Sequence, residues 1–322
     1  MYNLDKAILE RASAETGFVR DNLEKVYRLA DVLDFISSNT YLKDKLVLKG
    51  GTAINLTVFD LPRLSVDIDL DLSQNCTREE MLETREEIED LLVRYMTASG
   101  YSIDTGRGKN AHSLGSWAFS YLNAGGNRDN IKVEINYSMR AHILSPVERT
   151  VRFPFMEQDL HVISLAPQEL FGSKIKALLK RTAARDLYDI YNMIMADIFN
   201  GEELAMVRKC VIFYKSVGST GPFKKDIKLD AIDALSFSKV RQTLLPVLRK
   251  GTFVDLPEMK DKVQRFLKEL LQMTDEEKQY IEEFSKGRYS PELLFDDIDM
   301  VERIKLHPMA LWKAEKIRQS LT

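Results

Sequence analysis

Apolar positions recur with a helical period over most of the chain and with a strand period in a few short runs near its middle. Among the first forty residues, Leu23, Val26, Tyr27, Ala30, Leu33, Phe35 and Ile36 are spaced near 3.6, which predicts a helix packed on the strand that follows. Residues 81–97 repeat the pattern, with Met81, Ile88, Leu91, Leu92 and Tyr95 inward and the acids outward. Strand-like runs follow at 117–122 and 131–137, joined by a turn at 123–127, with a further one at 157–163 before Pro167. Beyond that nearly every segment reads as helix, interrupted at 218–222 and 251–257. The expectation is an α/β (α+β) chain. A domain over residues 1–160, with an N-terminal helical segment and a mixed sheet, precedes a helical C-terminal domain over 161–322.

Residues 46–72, LVLKGGTAINLTVFDLPRLSVDIDLDL, carry the chemistry. They read as a short apolar strand, a Gly-Gly-Thr turn, a short helix, a loop and a strand with an acid at every second position. On that strand Val66, Ile68, Leu70 and Leu72 face one way, and Asp67, Asp69 and Asp71 the other. Acids two apart on a strand sit roughly 6.6 Å apart. There two carboxylates repel by about 2.5 kcal/mol at an effective dielectric of about 20. An acidic, solvated strand face explains alternating acids equally well. The adjoining turn shifts the balance toward a seat for a divalent cation, Mg2+ or Mn2+, because hard cations take carboxylate and phosphate oxygens together. Lys49, Gly50, Gly51 and Thr52 stand where a strand ends and a helix begins. Their N–H groups and the positive helix end are suited to receive a phosphate, and glycine permits the close approach.

Composition narrows the class. At 322 residues there is room for two cores, and 44% hydrophobic with 30% charged residues is a globular balance rather than a disordered one. No run approaches the ~20 apolar residues of a membrane span, and the N-terminus MYNLDKAILERASAE does not read as a signal peptide. Cys76 and Cys210 are too few for a disulfide framework, so a cytoplasmic location is expected. His112, His142, His161 and His307 have no zinc-like spacing. A net charge of −3 excludes a broadly basic coat, so contacts with nucleic acid must come from local patches.

Gly50-Gly51-Thr52 followed by Arg63-Leu64-Ser65-Val66-Asp67-Ile68-Asp69 resembles the first motif of nucleotidyltransferases of the DNA polymerase β-like superfamily. With the later stretch LFGSKIKALLKRTAARDLYDIYNM, it is most similar to the AbiEii/AbiGii-type nucleotidyltransferase toxins of bacterial toxin–antitoxin and abortive-infection systems. The resemblance covers roughly residues 40–200. It implies a polymerase β-like domain that transfers a nucleoside monophosphate from an NTP and releases pyrophosphate. It implies two metals on Asp67 and Asp69, and phosphates held by Gly50, Gly51, Thr52 and Ser65. A third metal ligand is expected on a neighbouring strand. Glu134 faces away from Ile131, Val133, Ile135 and Tyr137 and fills that place, where the superfamily more usually has Asp. Lys174 is implied to contact the triphosphate and Asp186 to support catalysis.

A single helix would set Lys174 and Asp186 about 120° apart. A bend or a new helix near 182–185, capped by Asp186 or Thr182, is therefore expected, with Lys176 and Asp189 read as ordinary surface and capping residues. The acceptor implied is RNA, the tRNA 3′ end, with a cognate antitoxin as partner. The basic run from Lys174 to Arg185, with Lys224, Lys225 and Lys228, suits a phosphate backbone. Phe213, Tyr214 and Phe223 suit either base stacking or core packing. Two alternatives stand beside this reading. One is a small-molecule, aminoglycoside-type nucleotidyltransferase with Asp296, Asp297 and Asp299 lining its pocket. The other is a non-catalytic nucleotide-binding scaffold, which would have no use for mutually repelling acids.

Overall fold

The computed structural model describes residues 5–103, 113–151, 156, 159–218 and 229–321. The chain forms two compact units. The first comprises Met1–Arg140, Pro146–Leu165 and Leu245–Thr252; the second comprises Ala141–Ser145, Ala166–Leu244 and Phe253–Thr322.

In the first unit the N-terminal periodicity resolves into two helices rather than one. Helix α1, Lys6–Thr16, and α2, Arg20–Ser38, are separated at Gly17, whose φ of 78° lies in the left-handed region that favours glycine. Helix α2 buries Leu23, Val26, Tyr27, Ala30, Leu33 and Ile36, as the spacing predicts. It also buries Glu24, whose carboxylate meets Arg28 at 2.8 Å.

The sheet contains β1 (Leu46–Lys49), β2 (Asp67–Leu72), β3 (Ser102–Ile103), β4 (Leu114–Leu122), β5 (Arg128–Asn136), β6 (Val147–Val151) and β7 (Leu160–Ser164). Its order is β3-β4-β5-β2-β1-β7-β6, with β2–β5 and β1–β7 parallel and the remaining neighbours antiparallel. Helix α4, Arg78–Ala98, follows β2 and opens on a capping box made by Thr77 and Glu80. It buries Met81, Ile88 and Leu92. Tyr95, half-buried, stacks on Phe35 with ring centroids 3.9 Å apart.

Between β1 and β2 the chain turns at once into α3, Gly50–Ala53, which continues as a π-helical turn over Ile54–Val58. The distant segment 245–252 returns to brace this unit. Val247 O accepts from Leu64 N at 2.8 Å, and Gly17 O accepts from Lys250 N at 2.8 Å. Asn22 Nδ2 donates to Pro246 O at 2.6 Å.

The second unit is helical: α5 (Pro167–Arg181), α6 (Ala184–Met195), α7 (Gly201–Gly218), α8 (Phe237–Thr243), α9 (Leu256–Leu270), α10 (Asp275–Ser285), α11 (Ile298–Ile304) and α12 (Pro308–Leu321). Gly172 lets α5 approach α7, because a Cβ there would overlap Cys210. The segment 141–145 is pinned when Ile143 N and Leu144 N donate to the buried Glu169 carboxylate at 3.0 and 2.9 Å. Among the described residues, no helix is long and apolar enough to cross a membrane.

Candidate nucleotide-binding and transfer site

The turn and the acids meet through sheet register. Strand β1 runs antiparallel to β2 with Lys49 opposite Asp69, and β5 runs parallel to β2 with Glu134 beside Asp69 and Lys132 beside Asp67. Lys49, Asp69, Glu134 and Ser116 thus form one row across four strands, their side chains on one face. The opposite face carries Leu48, Leu70 and Ile135. That face borders a cavity of about 400 Å3 lined by the end of α2, β1 and β7, which none of the predicted site residues touches.

Gly50 has φ 72°, and a Cβ on it would overlap the Asp69 carboxylate. Both facts require glycine, so the turn lies directly against the second acid of the strand. A Cβ on Gly51 would stand 2.8 Å from Arg63 Nη2 and 3.1 Å from Ser65 Oγ. The buried Arg63 guanidinium and the Ser65 hydroxyl therefore pack under the turn, and Arg63 Nη1 donates to Leu64 O at 2.9 Å. Thr52 is fully buried and its hydroxyl donates to Asp67 O, clamping the helix start to the acidic strand. Its hydroxyl is thereby spent inside the fold.

The three acids of β2 are not equivalent. Asp67 and Asp69 are partly exposed, whereas Asp71 is 2% exposed and receives the Lys49 ammonium at 2.5 Å. Glu134 meets Lys132 at 2.9 Å. Among the described residues no three carboxylate, imidazole or thiol groups gather closely enough to hold a metal by themselves. A cation at Asp67 and Asp69 would therefore complete its shell with water or phosphate oxygens, the usual manner of Mg2+.

In the second unit the expected helix break occurs. Helix α5 ends at Thr182, which takes the left-handed conformation (φ 48°, ψ 54°), and α6 restarts after Ala183. The cap expected at Asp186 or Thr182 is not formed: Ala183 is the N-cap and offers no side-chain bond, while Asp186 lies in the first turn, free for other contacts. The new direction brings Lys174 Nζ to 3.1 Å from Asp186 Oδ1 and 3.0 Å from Asp189 Oδ2, all three side chains buried. Arg181 grips Asp186 with two bonds, Nε to Oδ2 at 2.7 Å and Nη2 to Oδ1 at 2.9 Å. Burial pushes the Asp186 carboxyl up, but the Arg181 hydrogen bonds and the Lys174 and Arg181 charges outweigh it and hold it below the usual carboxylate value.

Asp189, read from the sequence as an ordinary capping acid, is thus a buried member of this cluster. Its signal was present in the chain: Asp186 and Asp189 are three apart and share a helix face. Phe213 and Tyr214 are core residues; Phe213 packs against Phe295, Tyr289 and His307, and Tyr214 OH donates to Glu169. Asp296 pairs with Lys209 at 2.7 Å and Asp297 caps α11 through Met300 N, so these two acids of the run serve surface structure. Lys180 is exposed and Arg185 donates to Thr243 O at 2.6 Å. Lys224, Lys225, Lys228 and Phe223 lie outside the described residues.

Against known proteins, residues 34–287 match the family described as nucleotidyl transferase AbiEii toxin, type IV toxin–antitoxin system. No curated protein matches the chain. Six chains of solved structures do. One is MenT4, the nucleotidyltransferase toxin Rv2826c from Mycobacterium tuberculosis H37Rv. It aligns over 96% of this chain and 99% of its own, with a TM-score of 0.64 and 16% identity, a likeness of fold.

Proposed function

The chain belongs to the AbiEii family of nucleotidyltransferase toxins of type IV toxin–antitoxin systems, and on that premise we propose that it transfers a nucleoside monophosphate from an NTP to the 3′ end of tRNA, with a divalent cation bound at Asp67 and Asp69. The observation that carries this reading is the seating of the Gly50 turn against Asp69, which puts a phosphate-accepting helix start beside two partly exposed acids. Such a pairing has a use when anionic phosphate and acid must be held together, which takes a cation between them.

Gly50 and Gly51 offer backbone N–H groups to the β- and γ-phosphates, Ser65 offers its hydroxyl, and Thr52 holds the helix start in place through Asp67 O. Asp67 and Asp69 would hold Mg2+ or Mn2+, with water or phosphate oxygens completing its shell, and Glu134, the expected third ligand, stands next to Asp69 in register without closing, among the described residues, a three-carboxylate site. A cation bound there would supply charge neutralisation at the phosphates and lower the pKa of the incoming hydroxyl. The acceptor hydroxyl oxygen bonds to the α-phosphorus as the bond to the β-phosphate oxygen breaks, pyrophosphate leaves, and the hydroxyl proton passes to a carboxylate of the acidic face. Positioning and electrostatics supply most of the rate in such transfers. The family resemblance implies triphosphate contact for Lys174 and support of catalysis for Asp186, and those roles are kept as part of this proposal; in the second unit both side chains are buried and paired with each other. Asp296 and Asp297, already engaged with Lys209 and Met300 N, give the small-molecule reading no support.

The test is incubation of the protein with each labelled NTP, Mg2+ and total RNA, alongside Asp67→Asn and Asp69→Asn. Label at the 3′ end of tRNA or an acceptor-stem minihelix is expected with one preferred NTP, and none with either variant. Full transfer by both variants removes the metal reading. Label on an aminosugar with no RNA product under any NTP removes the tRNA reading and leaves the nucleotidyltransferase.

A further inference from the structure

Two stretches of the second unit carry basic residues and no acid. Residues 173–185 hold Lys174, Lys176, Lys180, Arg181 and Arg185, and residues 234–244 hold Lys239 and Arg241. In a chain of net charge −3 such segregation is local, and the fold joins the two stretches. Helix α8 packs on α6, and Arg185 Nε donates to the carbonyl of Thr243, the last residue of α8, at 2.6 Å. Lys174 is spent on Asp186 and Asp189, and Arg181 on Asp186. The charge this surface shows to solvent comes from the exposed Lys180, Lys239 and Arg241. Of the residues of α8 only Val240 is buried. Phe237, at the start of the helix, is 46% exposed, a large apolar ring left in water. Arg241, one turn on, stands with its guanidinium carbon 5.9 Å from the centre of that ring. Phe213 and Tyr214, the aromatics the sequence offered for stacking, lie in the core, whereas Phe237 does not.

We propose that the outer surface of α8 docks a single-stranded segment of the acceptor RNA, with Phe237 as a stacking platform and Lys239 and Arg241 as phosphate contacts. This rests on the reading of RNA as the acceptor. Each part of the surface answers one part of such a strand. Every base has a flat π-face that stacks on an aromatic ring whatever the sequence, and an arginine beside the ring adds a cation–π contribution. The ammonium and guanidinium meet the backbone phosphates. A duplex hides its base faces, so an exposed ring favours unpaired RNA over paired. An acidic polypeptide would match the charges but brings no run of flat rings to lay on Phe237. The acids that flank this stretch on the chain are Asp233, ahead of the cap at Ser236, and Asp255, beyond the helix. A phosphate backbone laid along α8 therefore meets no like charge from the helix itself.

The measurement is fluorescence anisotropy of labelled RNA on the full-length protein without NTP. The probes are a single strand of about 12 nucleotides, the same sequence as a blunt duplex, and polyglutamate of equal charge as competitor. The wild type is expected to bind the single strand more tightly than the duplex. Phe237→Ala should weaken the single strand by about fivefold or more, the loss of one stacked base, and leave the duplex within about twofold. Lys239→Gln/Arg241→Gln should weaken the single strand and flatten its plot of log Kd against log salt by about 1.4, two phosphate contacts at about 0.7 each. All three side chains are exposed, so these variants should melt with the wild type. If Phe237→Ala melts lower, Phe237→Leu, which keeps apolar bulk and removes the flat ring, is read in its place. Equal wild-type affinity for strand and duplex overturns the proposal. So does wild-type binding of the strand by the Phe237 variant, an unchanged salt slope in the double variant, or displacement of the strand by an equal concentration of polyglutamate. The two readings fail separately. A wild type that binds the strand as expected but labels no RNA with any NTP sinks the transfer reading and leaves the docking surface. RNA labelled and bound by the α8 variants as by the wild type sinks the surface and leaves the transfer.

Discussion

Replacing Lys174 with methionine should destabilise the second unit before it says anything about catalysis. The side chain is 6% exposed and its ammonium lies 3.0 Å from Asp189 Oδ2 and 3.1 Å from Asp186 Oδ1. Methionine fills much the same volume without the charge. Asp186 then keeps its two bonds from Arg181, while Asp189 loses the ammonium beside it. Removing one partner of a buried ion pair costs about 3–5 kcal/mol. Units of this size lose roughly 2–4 °C of midpoint per kcal/mol, so a fall of roughly 6–20 °C is expected. Circular-dichroism melts at neutral pH measure it. Lys174→Met/Asp189→Asn removes the charge left behind and should recover at least half of the fall. Transfer, assayed in the cold where both proteins are folded, should remain lost by orders of magnitude if Lys174 also neutralises a phosphate. A single variant that melts within about 2 °C of wild type would refute the buried-pair argument. A double variant that regains transfer with stability would make Lys174 a scaffold residue.

Gly50→Ala should lower transfer by at least about tenfold, since a φ of 72° and a Cβ against Asp69 together displace the acid from the turn. Its melt should fall by only roughly 2–8 °C, the left-handed strain of one residue, and wild-type transfer would show that the turn tolerates the shift. Arg181→Met should raise the pH at which the second unit unfolds in acid. Asp186 is held below the usual carboxylate value, so its contribution is complete above that value and lost as pH falls through the lower native one. Taking away the Arg181 bonds raises the native value and narrows that window, which an acid titration of ellipticity reads; an unmoved acid limb would mean that Arg181 does not hold Asp186 down.

What the sequence disclosed was local. Alternation in residues 66–72 placed Asp67 and Asp69 on one face, and the strand pattern placed Glu134 on a polar face. Periodicity found α4 and the interior of α2, because both patterns follow from backbone geometry alone. It did not separate α1 from α2, since Gly17 breaks the backbone without interrupting a strongly polar stretch. Withdrawal of Asp71 by Lys49 was hidden, because it depends on β1 pairing antiparallel to β2 with a particular register after an intervening helix. Asp189 was missed for a related reason. Its contact with Lys174 follows the left-handed turn at Thr182, a conformation threonine seldom adopts and no local pattern announces.

The brace formed by Leu245–Thr252 bears on how the protein is made. The turn, the acids of β2 and the strand β5 all leave the ribosome well before residue 245, and nascent chains fold from the N-terminus as they emerge. Leu64, immediately before Ser65, waits for Val247 to accept its N–H, and Gly17 and Asn22 wait for Lys250 and Pro246. Completion of the first unit is therefore deferred until most of the polypeptide has been translated. A transcript broken, or a ribosome stalled, ahead of that point yields a chain that owns every acid and glycine of the site and lacks the segment that steadies the loop between them.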